Sequence, residues 1–248
     1  MRTAIFSDIH GNCVALDAVL ADIRAQHVEQ LVCLGDAIQG GPQPAETVAR
    51  LRALGCPVVM GNADAWLLSG ENTGEEPITE RLTAVRAWSL SRLSAEDRAF
   101  ISGFQATITL ELGAGLRLLC FHGSPSSFDD IILPETPDDE AMRLLQPADA
   151  SLLTGGHTHR QQLRRLGTAI FFNPGSVGLP FSHPQLDSTI VYVDPWAEYA
   201  IVTAQDEGRF GIEFRRVPYD VAALRDVYAA SGRPFAQDEF ARYRRASS

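Results

Sequence analysis

The chain has 248 residues, 45% of them hydrophobic and 21% charged, which allows one large domain or two small ones and excludes collagen-like, low-complexity and disordered classes. No stretch approaches the ~20 apolar residues of a membrane span, and the N-terminus, Met1 to Asp8, reaches an acid before any long apolar run, so it does not read as a signal peptide and the expected location is cytoplasmic. Acids outnumber bases 31 to 21, a formal net charge of -10, and every base is arginine; this disfavours bulk nucleic-acid binding and excludes P-loop, Schiff-base and kinase-type lysine chemistry.

In chain order, Thr3-Ala4-Ile5-Phe6 reads as a buried strand. Val14 to Ala25 carries Val14, Leu16, Val19, Leu20 and Ile23 at helical spacing. Leu31 to Leu34 is a second strand. Pro44 to Leu54 is a second helix with Pro in its first turn. Val58-Val59-Met60 is a third strand. This β-α-β-α-β rhythm predicts parallel strands with right-handed crossover helices. Residues 64 to 104 read as a helical insertion, broken between Ser69 and Pro77. Strands return at Ala106 to Glu111 and Leu116 to Phe121, joined by a turn at Gly113-Ala114-Gly115. A helix covers Asp138 to Leu145. Ser151 to Thr154, Ala169 to Phe172, Thr189 to Val193, Tyr199 to Thr203 and Ile212 to Val217 follow as strands, the later ones expected as an antiparallel meander. A helical tail over residues 219–245 closes the chain. No repeat or linker is visible, so a single domain is expected over residues 1–248.

The four cysteines, Cys13, Cys33, Cys56 and Cys120, have apolar neighbours and form no CxxC pair; they read as buried reduced thiols. The histidines are more telling. Four of six fall in loops that directly follow predicted strands. Asp8-Ile9-His10-Gly11-Asn12 follows the first strand and Gly35-Asp36 the second. Gly61-Asn62-Ala63-Asp64 follows the third. His122-Gly123 and Gly155-Gly156-His157-Thr158-His159 follow two more. Ligands of open α/β sheets bind beyond the carboxyl ends of the strands. Imidazole, carboxylate and carboxamide together suit Mn, Fe, Zn, Co or Ni rather than a thiolate-bound structural zinc. Seven such side chains are too many for one ion and fit a two-metal site with one bridging carboxylate. His27 and His183 lack this context. No Gly-x-Ser-x-Gly pattern is present, and Gly113-x-Gly115 lacks the third glycine of a dinucleotide loop.

The series Asp8-x-His10, Gly35-Asp36, Gly61-Asn62-x-Asp64, His122 and Gly156-His157-x-His159 resembles the motif series of the calcineurin-like metallophosphoesterases. Asn173-Pro174-Gly175-Ser176 resembles the short prokaryotic phosphodiesterase branch. The resemblance implies two mixed β-sheets packed as a sandwich and flanked by helices. It implies a dinuclear centre that hydrolyses phosphate esters with a hydroxide held between the ions. It places Asp8, His10, Asp36 and His159 on one ion and Asp36, Asn62, His122 and His157 on the other, with Asp36 bridging. Asp8, His10, Asp36, Asn62 and His122 are the expected catalytic positions, and the expected substrate is a small-molecule or nucleotide-like phosphoester. Asn12 is a candidate phosphate contact or a helix cap, and Arg160 a candidate phosphate contact. The sequence departs from the family pattern at Ala63, where many members carry a histidine that protonates the leaving group. Asp64 would orient that histidine; here a first-turn role is the simpler reading. A metal-binding scaffold or regulatory protein with the same fold is the alternative function, but such a protein would be expected to lose ligands and all seven are present. Arg164-Arg165 and Arg244-Arg245 keep nucleic-acid processing as a third reading.

Overall fold

A computed structural model describes residues 1–74, 77–113, 115–146, 150–181 and 192–243. Strand β1 (Arg2–Phe6) is buried from Thr3 onward because both of its faces are covered. Ala4 and Phe6 point toward helix α1 (Cys13–Ala25) and helix α2 (Pro44–Leu54), whereas Ile5 points into the space between two sheets. This is the two-residue period of a strand covered on both faces. The first sheet has the order β2-β1-β8-β9, with β2 (Gln30–Cys33) parallel to β1 and the hairpin of β8 (Trp196–Ala204) and β9 (Phe210–Pro218) antiparallel to it. The second has the order β3-β4-β5-β7-β6, from β3 (Ile108–Glu111), β4 (Arg117–Cys120), β5 (Leu152–Thr154), β6 (Gln162–Leu166) and β7 (Ala169–Asn173). Strands β4, β5 and β7 are parallel, and β3 and β6 are antiparallel edges.

Ile5, Val32, Leu118, Cys120, Leu152, Phe172 and Val202 fill the space between the sheets. Phe121, Leu153 and Phe171 pack on the other side of the second sheet with Ala141 of α6 (Asp138–Leu144). The architecture is therefore the expected sandwich of two mixed sheets flanked by helices.

The regular structure of the insertion is helical, with the expected break after Ser69. It contains α3 (Asn62–Ser69), α4 (Glu80–Arg92) and α5 (Ala95–Ser102). Ser94 and Asp97 form a reciprocal capping box at the start of α5.

Several expectations are corrected. Val58 and Val59 form only single bridges, to Cys33 and Gln105, so the third strand is vestigial. The late strands are not one meander: β6–β7 and β8–β9 are hairpins in different sheets. Strand β6 went unread because its pattern is inverted, with Gln162 buried and Leu163 54% exposed. Of Thr189 to Val193, residues 189–191 lie outside the described residues and Val193 makes only a bridge to Tyr243. The tail is two helices, α7 (Val221–Ser231) and α8 (Ala236–Phe240), separated at Gly232-Arg233-Pro234. Gly232 has φ +71° and Pro234 has no N–H to continue a helix. His183, Arg244 and Arg245 lie outside the described residues.

Candidate metal centre

The parallel strands deliver their following loops to one end of the sandwich. The loop after β1 and the loop after β2 are laced together by backbone bonds: Asp8 N–H to Gly35 O, His10 N–H to Asp36 O and Gly11 N–H to Ala37 O, each 2.9 Å. The loop after β5 reaches the same point, where the His157 N–H donates to Asp8 Oδ2 at 3.2 Å. Asp8, His10 and His159 form one cluster, and Asp36, His122 and His157 a second. Within each, the ligand atoms lie within 4.8 Å of one another. One oxygen serves both: Asp36 Oδ2 is 3.8 Å from His10 Nε2 and 3.5 Å from His122 Nε2. Asn62 joins the second cluster through Oδ1, 3.0 Å from His122 Nε2.

The imidazoles are held by their far nitrogens. His10 Nδ1 is 2.8 Å from Gln39 O, His122 Nδ1 2.8 Å from Leu34 O, and His159 Nδ1 2.8 Å from Leu179 O. A carbonyl only accepts, so each Nδ1 carries a proton and each ring turns its Nε2 edge toward the clusters. The Nε2 atoms of His10 and His159 stand 3.2 Å apart. Asp8 Oδ1 is fully buried and receives no hydrogen bond. Imidazole nitrogens converging beside buried carboxylates fit divalent cations.

Electrostatics agree. Burial alone would raise the Asp36 carboxyl, but the His122 imidazole outweighs it and holds Asp36 well below the usual carboxylate range. Asp8 is likewise lowered: burial opposes this, and His159 overrides it. Burial lowers His10, and burial together with the charge on His122 lowers His157 to about 4, which keeps both rings neutral. His122 behaves differently. Burial favours its neutral form, yet Asp36 raises it to about 9, so a cation seated there displaces a proton.

Backbone strain marks the same residues. Asp8, His10, Asp36, His157 and His159 all have left-handed backbones, with φ of +56°, +47°, +48°, +66° and +55°. Such conformations cost on the order of 1 kcal/mol each and concentrate at functional sites. Glycines give the carboxylates room. A Cβ on Gly61 would lie 2.1 Å from Asp36 Oδ1, and one on Gly156 would lie 2.8 Å from Asp8 Oδ2.

Several supporting residues have roles that the sequence did not show. Asp64 lies in the first turn of α3, as expected, but does not cap it. It is fully buried, and its carboxylate accepts the N–H groups of Ala37 and Ile38, both at 2.9 Å, bracing the turn that carries Asp36. Burial and then the Asp36 charge raise its carboxyl to about 7. The Asp-to-backbone bonds cross the site, so sequence neighbours gave no signal for them. Ala63 lines the cavity, and its N–H donates to Asp36 Oδ1 at 2.8 Å. Asn173 donates to Gly156 O and to Thr158 Oγ1, and Ser176 Oγ donates to Asp8 O at 2.8 Å. The Asn-Pro-Gly-Ser run therefore buttresses two ligand loops.

The two substrate-contact candidates are placed elsewhere. Asn12 Oδ1 accepts from Ala15 N–H at 3.0 Å, capping α1. Arg160 forks onto Glu135, both bonds 3.0 Å, and is not among the residues lining the cavity at the site. Arg164 is likewise engaged, by Asp138 and by Leu133 O.

No helix among the described residues is long and apolar enough to cross a membrane. The chain is 27% identical over 235 residues, 88% of each chain, to the uncharacterized protein MJ0912 of Methanocaldococcus jannaschii. It is similar in structure to a metallophosphoesterase from Sphaerobacter thermophilus (TM-score 0.71, 25% identity, 97% of this chain and 98% of that one). It shares its fold with the hypothetical protein PH1004 from Pyrococcus horikoshii OT3 (TM-score 0.77, 20% identity, 94% of both chains). The model of the calcineurin-like phosphoesterase superfamily domain matches residues 1–195, which contain all seven clustered side chains, and the chain belongs to that superfamily.

Proposed function

We propose that the protein is a dinuclear metal-dependent phosphodiesterase acting on a small-molecule or nucleotide-like phosphoester. The observation that carries this reading is the pair of three-residue clusters meeting at Asp36 Oδ2. Asp8, His10 and His159 with Asp36 would hold one divalent ion; Asp36, Asn62, His122 and His157 would hold the other. When bound, the ions supply Lewis acidity toward the phosphoryl oxygens and a water nucleophile at neutral pH. The chain's own residues supply the rest. The carbonyls of Gln39, Leu34 and Leu179 fix the tautomers of the ligand imidazoles. The Ala63 N–H and the Asp64-braced turn fix the Asp36 carboxylate. Ala63 offers no proton to a leaving oxygen, so the reading favours esters whose leaving groups need little protonation.

Metal analysis of the purified protein, with a panel of phosphomonoesters, diesters and dinucleotides, tests the proposal. Two divalent ions per chain and chelator-sensitive hydrolysis of diesters are expected. Asp36→Asn is expected to lower occupancy of both ions and abolish turnover; Asn62→Ala, which removes a neutral ligand, is expected to be milder. Retention of two ions and near-normal activity in Asp36→Asn would show the assignment to be wrong.

A further inference from the structure

The two carbonyls that orient the imidazoles of the first cluster lie in loops that the C-terminal tail touches. Gln39 O holds His10 Nδ1, and Leu179 O holds His159 Nδ1. The adjacent carbonyl in each loop accepts a donor from the tail. Arg233 Nε donates to Gly40 O at 2.6 Å, and Tyr243 Oη donates to Gly178 O at 3.0 Å. Both donors follow the segment matched by the family model, residues 1–195, so neither contact is part of what the superfamily match describes.

Both receiving positions are glycines, which turn at little steric cost. Gly40 has φ +117°, and a Cβ there would lie 3.4 Å from His10 Nδ1. A Cβ on Gly178 would lie 2.1 Å from Ile9 O, and the Gly178 N–H donates to Asp8 O at 2.9 Å. Rotation of either peptide would carry the neighbouring carbonyl away from the imidazole it holds.

The donors are themselves fixed. Arg233 is 7% exposed; its Nη1 donates to Pro234 O at 2.8 Å, and its Nη2 lies 3.6 Å from Glu239. Left-handed residues bracket it, Gly232 on one side and Phe235, with φ +57°, on the other. Tyr243 is buried with Val193, Leu224 and Tyr228, and Leu179 and Phe181 pack against the same cluster. The Phe181 ring stacks on His159 with centroids 4.8 Å apart. His122 of the second cluster is anchored elsewhere. Its Nδ1 meets Leu34 O, and Leu34 belongs to the core between the sheets.

Resting on the metal-centre reading above, we propose that Arg233 and Tyr243 are positioning residues through which the C-terminal tail sets the affinity of the ion held by Asp8, His10 and His159. They act by fixing the carbonyls that orient His10 and His159. The ion at His122 and His157, anchored on the sheet core, does not depend on the tail. Groups that hold the outer nitrogen of a ligand imidazole are typically worth about 10–100-fold in metal affinity. A residue that fixes such a group is expected to carry the lower end of that range.

Calorimetric titration of the full chain with Mn tests this. Met at position 233 matches the Arg stem but has no donor, whereas Gln places its amide Nε2 where Arg carries Nε. Arg233→Met and Tyr243→Phe are each expected to weaken one of two ions about tenfold, and Arg233→Gln to restore most of that loss. In an Asp8→Asn background, Arg233→Met is expected to leave the ion at His122 unchanged. Equal weakening of both ions, or a Gln variant as weak as Met, would show a general structural role and overturn the proposal. Wild-type affinity in Arg233→Met or in Tyr243→Phe would overturn it as well. If Arg233→Met does not fold, Tyr243→Phe, which removes one hydroxyl, decides by the same criterion. Long-range 1H–15N spectra of the metal-free protein read the rings directly. His10 in Arg233→Met and His159 in Tyr243→Phe are expected to lose their single Nδ1-protonated form, while His122 keeps its wild-type shifts; unchanged His10 and His159 would overturn the proposal. A wild-type protein that binds no Mn would refute the metal-centre reading, and these spectra would still decide whether the tail positions the rings.

Discussion

At the scale of single residues, Asp64 and Ala63 determine what the site can do. Asp64 satisfies two buried N–H groups behind Asp36. Asp64→Ala leaves both without a partner, at a cost of about 1–3 kcal/mol for each unsatisfied group. It is expected to lower the melting temperature and to weaken binding of the ion held by His122, although Asp64 touches neither cluster. Titration calorimetry with Mn checks this; wild-type affinity would contradict it. Ala63 bears on the leaving group. A plot of log kcat/KM against leaving-group pKa is expected to have a steep negative slope in the wild-type protein. Ala63→His places an imidazole at the cavity, but the Asp64 carboxylate is already committed to backbone amides and cannot orient the ring. The substitution is therefore expected to flatten the slope only in part. A shallow wild-type slope would show that another group supplies the proton. The seven clustered side chains were legible in the sequence because each sits within a few residues of a strand end. The roles of Asp64, Asn173 and Ser176 were not, because each acts through a backbone group far away in the chain.

At the scale of elements, helix α1 is tied to the first sheet by a polar contact. Asp22 accepts from Tyr199 Oη on β8 at 2.6 Å and from Arg215 on β9 at 2.6 and 3.0 Å. The Arg215 bond is the leading cause of a lowered Asp22 pKa, opposed by burial. A depressed carboxylate contributes stability that is present above its unfolded value and is lost as pH falls through its folded value. Asp22→Asn is expected to cost about 1–2 kcal/mol at neutral pH, given bonds to a charged group that solvent partly screens. The gap to wild type is expected to close on acidification below pH about 4. Denaturant titrations at neutral and acid pH check both statements. Helices α1 and α2 were legible from apolar spacing and from Pro44 near a helix start. Strand β6 was not, because its buried position holds Gln162, whose Nε2 donates to Ile132 O, while Leu163 faces solvent. The vestigial strand at Val58 has the β-branched composition of a strand but lacks neighbours to pair with beyond single bridges.

At the scale of the whole molecule, the candidate ligands come from both halves of the sandwich. Asp8 and Asp36 follow strands of the first sheet; His122, His157 and His159 follow strands of the second. Metal at a hundred times its dissociation constant adds about 2.7 kcal/mol of stability for one site. For a chain of this size that corresponds to a rise of roughly 5–10 °C in melting temperature. Scanning calorimetry with and without chelator is expected to show this rise, reversed in Asp36→Asn. A cation shared between Asp8 and His159 would act as a removable cross-link between positions far apart in the chain, the inorganic counterpart of a disulfide across a long loop. Hydrogen exchange would then record one cooperative unit spanning β1 and β5 in the loaded protein. Stripped of metal, the two sheets should open as separate units, with the amides at their carboxyl ends exchanging first.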